Sequence, residues 1–135
     1  MAELPIVNVY LAREMARRGD RDDAIPLIRA AVDHLFREGR LLVWGVTATG
    51  VLVETLLNRS GAADVAEAQA AIERLAAAPA DEGLVIRDVW LLRLRALLAR
   101  AHGDAAAYAQ FRDRYRDMAK TLDFEGHIAW AEAMA

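Results

Sequence analysis

The stretch 84–123 constrains this chain more than any other, because it reads as two apolar-faced helices folded back on each other at His102-Gly103-Asp104. Its first arm, Trp90 through Arg100, is built from strong helix formers with neither Gly nor Pro, so it predicts a buried helix with few polar positions. Its second arm places Tyr108, Phe111, Tyr115, Met118 and Leu122 three or four residues apart, along one face of a 3.6-residue helix. Arg112, Asp113, Arg116, Asp117 and Lys120 occupy the face left for water. Gly103 can take the left-handed conformation that ends a helix, and Asp104 can accept the free amides that start the next. So short a link leaves only an antiparallel pair.

A second copy of this turn fixes the organisation of the rest. Arg18-Gly19-Asp20 followed by Ala24 stands where His102-Gly103-Asp104 followed by Ala107 stands in the later hairpin. The first hairpin is expected at about 5–37, with Leu4, Val7, Leu11 and Met15 on one face of its opening helix. Its second helix, starting near Asp22 or Asp23, presents Ile25, Ile28, Val32 and Leu35, and Pro26 is expected within the first turn, where it costs little. A middle hairpin is expected at about 41–77, with Asp64 and Glu67 as a capping pair; Trp44, Gly50 and Gly61 each suggest a different repeat register within it. After the punctuated segment 76–83 and the hairpin at about 84–122 comes a last helix at about 127–134. Helix pairs repeating every 34 to 45 residues or so are the signature of an α-solenoid. The expected fold is therefore all-α: three antiparallel hairpins in a right-handed tetratricopeptide-like solenoid, closed by a C-terminal capping helix.

Composition agrees with helix over sheet. The chain has 135 residues, enough for one domain with its own core, and its hydrophobic share of 56% owes much to Ala. A formal net charge of -3 argues against a dedicated nucleic-acid binder. With no cysteine, there is no disulfide, thiolate metal site or cysteine nucleophile. The run 41–53 is uncharged but too short for a membrane span, and the N-terminus lacks the pattern of a secretory signal, so a cytoplasmic protein away from membranes is expected.

Four segments carry a family resemblance. Ala24-Ile25-Pro26-Leu27-Ile28-Arg29-Ala30-Ala31-Val32, Thr49-Gly50-Val51-Leu52-Val53-Glu54-Thr55-Leu56-Leu57, Ala71-Ile72-Glu73-Arg74-Leu75 and Gly126-His127-Ile128-Ala129-Trp130-Ala131-Glu132-Ala133-Met134 resemble the C-terminal region of actinobacterial multidomain proteins. Those proteins join a class III adenylyl or guanylyl cyclase domain to a nucleotide-binding ATPase-type domain and a tetratricopeptide-like tail. The resemblance implies a regulatory or assembly tail, or a relative of one, and carries over no catalytic residue. Neither a phosphate-binding glycine loop nor room for a cyclase fold is present here.

The residues themselves point to binding rather than chemistry. Ser60 is the single serine, and His34, His102 and His127 lie at different helix ends, so neither a nucleophile with its base nor a helical pair of metal ligands can be assembled. No catalytic residue, metal or cofactor is expected. In a tetratricopeptide solenoid the first helix of each pair lines the concave groove. There Arg13 and Arg17 share a face, as do Arg93 and Arg100, and Arg59 ends the middle first helix. These five arginines predict a groove for an acidic peptide, a carboxylate terminus or a phosphate group of a protein partner, against the plainer reading that they pair with Asp20, Asp22, Asp88 or Asp104.

Glu54, set among Val51, Val53, Leu56 and Leu57, needs a partner, with Arg87, Arg93 and Arg95 as candidates. His127, Trp130 and Met134 form one stripe of the last helix, expected as a lid over the final repeat. Two further readings stay open. Trp44, Trp90 and Trp130, with Glu54 and His127, can line a small-molecule sensor pocket between hairpins, and the many Ala and Leu positions of the third and fifth helices can form a homodimer interface.

Overall fold

The computed structural model describes residues 4–38, 45–78 and 85–134, and these form seven helices with no strand among them. They are α1 (Leu4–Arg17), α2 (Arg21–Arg37), α3 (Val46–Arg59), α4 (Ala62–Ala77), α5 (Val85–Ala101), α6 (Ala105–Leu122) and α7 (Glu125–Ala133). Trp44 with the rest of 39–44, and all of 79–84, lie outside the described residues, and with them the expected starts of the second and third hairpins.

The helices pair as α1 with α2, α3 with α4, and α5 with α6. Each second helix also packs on the first helix of the next pair, α2 on α3, α4 on α5 and α6 on α7, while α3 touches both α1 and α5. One buried cluster runs from Ala12 through Ile25, Ile28, Leu35, Val53, Leu56 and Leu75 to Trp90 and Leu94. A second gathers Val89, Ala96 and Leu97 of α5 around Tyr115, Ala131 and Met134. Thus α5 feeds two clusters on opposite sides, which is why it carries so few polar positions. The apolar positions of α3 and α5 that suggested a dimer face are largely covered within the chain: Val46, Leu52, Val53, Leu56, Val89 and Leu94 are each at most 4% exposed.

One turn recurs between helices. Gly19 (φ +98) and Gly103 (φ +76) both adopt the left-handed conformation. Around them Gly19 N donates to Ala16 O and Asp20 N to Met15 O, just as Gly103 N donates to Arg100 O and Asp104 N to Ala99 O. These are the paired bonds that satisfy the last carbonyls of a helix. Asp104 then caps α6 by accepting from Ala107 N at 3.0 Å. The same bonds recur between α6 and α7, where Asp123 N donates to Lys120 O and Phe124 N to Ala119 O, with Asp123 (φ 57) in the place of glycine. In the middle hairpin Ser60 (φ 58) takes the left-handed position, so its register is that of Ser60-Gly61.

Three expectations at helix starts are corrected. α2 begins at Arg21, so Pro26 lies beyond the first turn and removes a hydrogen bond that Asp22 O would accept; its ring is exposed, and water can serve the freed carbonyl. α4 is preceded by Gly61, and Asp64 is its third helical residue, accepting from Gly61 N at 3.1 Å. Because glycine has no side chain, only this half of a capping box forms. α7 begins at Glu125, two residues ahead of His127.

Candidate functional site

Two cavities meet along the side of the molecule formed by α1, α3 and α5. The first, of about 380 Å³, is lined by Arg13, Ala16 and Arg17 of α1, Arg21 of α2, and Val51, Glu54, Thr55 and Asn58 of α3. The second, of about 220 Å³, shares Glu54 and Asn58 and continues to Arg93, Leu97 and Arg100 of α5. Helical spacing explains the convergence: Arg13 and Arg17 are one turn apart, Arg93 and Arg100 two turns, so each pair keeps one face. Four of the five sequence-predicted arginines therefore border one groove, and Arg21 joins them.

Arg59 does not. Its Nε and Nη2 donate to the two carboxylate oxygens of Asp64 at 2.9 and 2.5 Å, and its Nη1 donates to Asp22 at 2.9 Å. This fork ties the end of α3 to the starts of α4 and α2 and leaves little for a ligand. The Arg59 hydrogen bond holds the Asp64 carboxyl below the usual carboxylate range, burial opposes that shift, and the Gly61 amide assists it. Asp22 is thus the partner that the plainer reading named. Its other pairings do not reach the groove: among the described residues Arg13 and Arg21 form no ion pair, and Arg17 makes one exposed contact, 3.6 Å from Glu14.

Glu54 finds its partner in Arg93, whose Nη2 donates to Oε1 at 2.7 Å. Arg93 is mostly buried, 13% exposed at its side chain, and holds more than Glu54. Its Nη1 points at Met134 Sδ, 3.6 Å away, and its guanidinium lies 5.0 Å from the Trp130 ring centroid. Its buried Nε–H has no acceptor among the described residues. Arg93 therefore fastens α5 to α3 on one side and to α7 on the other.

Behind it lies an aromatic cluster. Trp90 and Trp130 meet edge to face at 5.5 Å between centroids, and His127 stands edge-on to both. His127 Nδ1 is 2.6 Å from the Tyr115 hydroxyl, so one proton lies between phenol and imidazole. Burial, followed by the positive charge of Arg93, lowers the His127 pKa to about 4. Burial raises that of Tyr115 to about 12, with Arg93 pulling back and Glu54 adding to the rise. Both are neutral near pH 7, and their bond is a structural tie between α6 and α7. The stripe His127, Trp130 and Met134 lies over α5 as a lid would, with His127 and Met134 buried and Trp130 36% exposed.

Trp90 and Trp130 line neither groove cavity, and the face of Trp90 is filled by Gly50. No cluster of three or more His, Asp or Glu able to hold a metal occurs among the described residues, and no described helix is long and apolar enough to cross a membrane. Sequence reasoning missed Arg21, whose signal was the turn itself: a three-residue link, Arg18-Gly19-Asp20, brings the start of α2 beside the end of α1. In comparisons with known proteins, no family model, curated protein or solved structure matches this chain.

Proposed function

We propose that this chain is a non-catalytic, tetratricopeptide-like interaction module that captures an acidic segment of a protein partner in the groove of α1, α3 and α5. The observation that carries this reading is the convergence of Arg13, Arg17, Arg21 and Arg100 on joined cavities, with no carboxylate spent on Arg13, Arg21 or Arg100 among the described residues. Guanidinium groups bind carboxylates in bidentate fashion, and clustered ones also steer acidic partners in from solution. The helix contacts support a solenoid-like stacking: second helices pack on the following first helices, and α3 packs on α1 and α5, as in stacked repeats. In that arrangement α7 occupies the place of a further first helix and caps the array. The sequence resemblance supports a place beside a class III nucleotide cyclase and ATPase in a cytoplasmic signalling protein. The sensor reading has less behind it, because Trp90 is packed and lines neither groove cavity.

The test is charge reversal at exposed positions. Arg93 is unsuitable, since a glutamate there would face Glu54 inside a packed contact. In Arg13→Glu, Arg17→Glu, Arg100→Glu the affinity for a glutamate-rich peptide, read by fluorescence anisotropy, should fall at least tenfold. One charge-assisted hydrogen bond is worth about 1.5 kcal/mol or more. An unchanged affinity in a variant with an unchanged circular dichroism melt would refute the groove.

A further inference from the structure

The groove holds its own carboxylate at its midpoint. Among the described lining residues Glu54 is the one acid, and it is shared by both cavities. It sits on α3, between the arginines of α1 and those of α5, with its side chain 30% exposed and its Oε1 on Arg93. An anion arriving at mid-groove meets the repulsion of Glu54 and finds Arg93 already engaged with Glu54, Met134 and Trp130. The flanks differ. Arg13 and Arg21 on one side form no ion pair among the described residues, and Arg100 on the other lies 5.6 Å from the Tyr108 ring centroid, a contact that leaves its charge uncancelled.

We propose that Glu54 is the specificity determinant of the groove, splitting it into two cationic subsites that select an extended peptide with two acidic groups flanking an uncharged centre. This rests on the groove reading above. The spacing follows from helix packing. Neighbouring axes lie about 9 Å apart, so α1 and α5, on either side of α3, are separated by roughly 18 Å. An extended chain covers about 3.3 Å per residue, so about five residues separate the two acidic groups. A compact polyanion, with its charge in one place, fits one subsite and is repelled from the centre.

Two synthetic peptides of equal net charge and length decide the matter by anisotropy. One carries aspartates at both ends of a serine-glycine spacer of about five residues; the other carries the same aspartates in one block. The wild-type chain should bind the split peptide at least tenfold more tightly, a lower bound on what a like-charge juxtaposition costs at an interface. Glu54→Gln keeps an oxygen to accept from Arg93 and removes the charge, so the block peptide should gain at least tenfold and the preference should vanish. Arg13→Gln with Arg17→Gln, both exposed positions, should lower the split peptide to the affinity of the block peptide. Equal binding of the two peptides by the wild type would overturn the proposal, as would a preference that survives Glu54→Gln, while leaving the groove reading standing. Failure of both peptides to bind any of these chains would remove the groove reading and this one with it.

Discussion

Gly50 shows how one atom can set the approach of two helices. A Cβ there would lie 2.7 Å from Trp90 Cε3, and the ring has nowhere to go, being flanked by His127 and Trp130. Gly50→Ala is therefore expected to destabilise the fold by about 1–3 kcal/mol despite its better helix propensity, as read by urea denaturation. His127 belongs to the same cluster and makes stability depend on pH. Its folded pKa of about 4 lies below the unfolded value of about 6.5, so on acidification the unfolded chain takes up the proton first. The His127 contribution is complete above about pH 6.5 and declines as pH falls toward 4. Between pH 7.5 and 5 it should cost the wild type about 2 kcal/mol. His127→Gln should remove that slope, and an equal slope in both chains would contradict the buried neutral imidazole. Little of this was legible beforehand. The sequence offered Gly50 as a register marker, whereas its use is to admit a ring from a helix forty positions on, a long-range fit that no local pattern encodes.

At the scale of elements the local patterns carried further. The stripe of α6 and the twin turns at Gly19 and Gly103 follow from helical period and left-handed geometry, both local properties. Boundaries set by competition between neighbours were less legible. α2 starts at Arg21, a residue or two before the acidic pair that marked its expected start, which puts Pro26 inside the hydrogen-bond ladder. Pro26→Ala should restore one backbone bond at an exposed position and raise stability by about 1–3 kcal/mol, measured as an increase in urea midpoint. A neutral or destabilising result would contradict a cost from the missing backbone bond. The break before α7 was expected, but the start of α7 was placed two residues late because Asp123 takes the left-handed conformation usually left to glycine, held by the bonds of Asp123 N to Lys120 O and Phe124 N to Ala119 O.

For the whole molecule, the pairing of helices and the convergence of arginines were both readable from spacing, and the Glu54 to Arg93 tie was among the partners that burial demanded. Arg59 was misassigned for a physical reason. Its position at the end of α3 suits the groove, but Asp64 and Asp22 converge on it from α4 and α2, and such convergence depends on tertiary structure. The measurement that bears most directly on the account is a backbone amide NMR titration of the intact chain with a glutamate-rich peptide. Shifts should concentrate at Arg13 to Arg21, Glu54 to Asn58, and Arg93 to Arg100, and should fade as salt is raised. Shifts confined to the outer faces of α2, α4 and α6, or no shifts at any peptide concentration, would contradict the claim that α1, α3 and α5 form the binding groove.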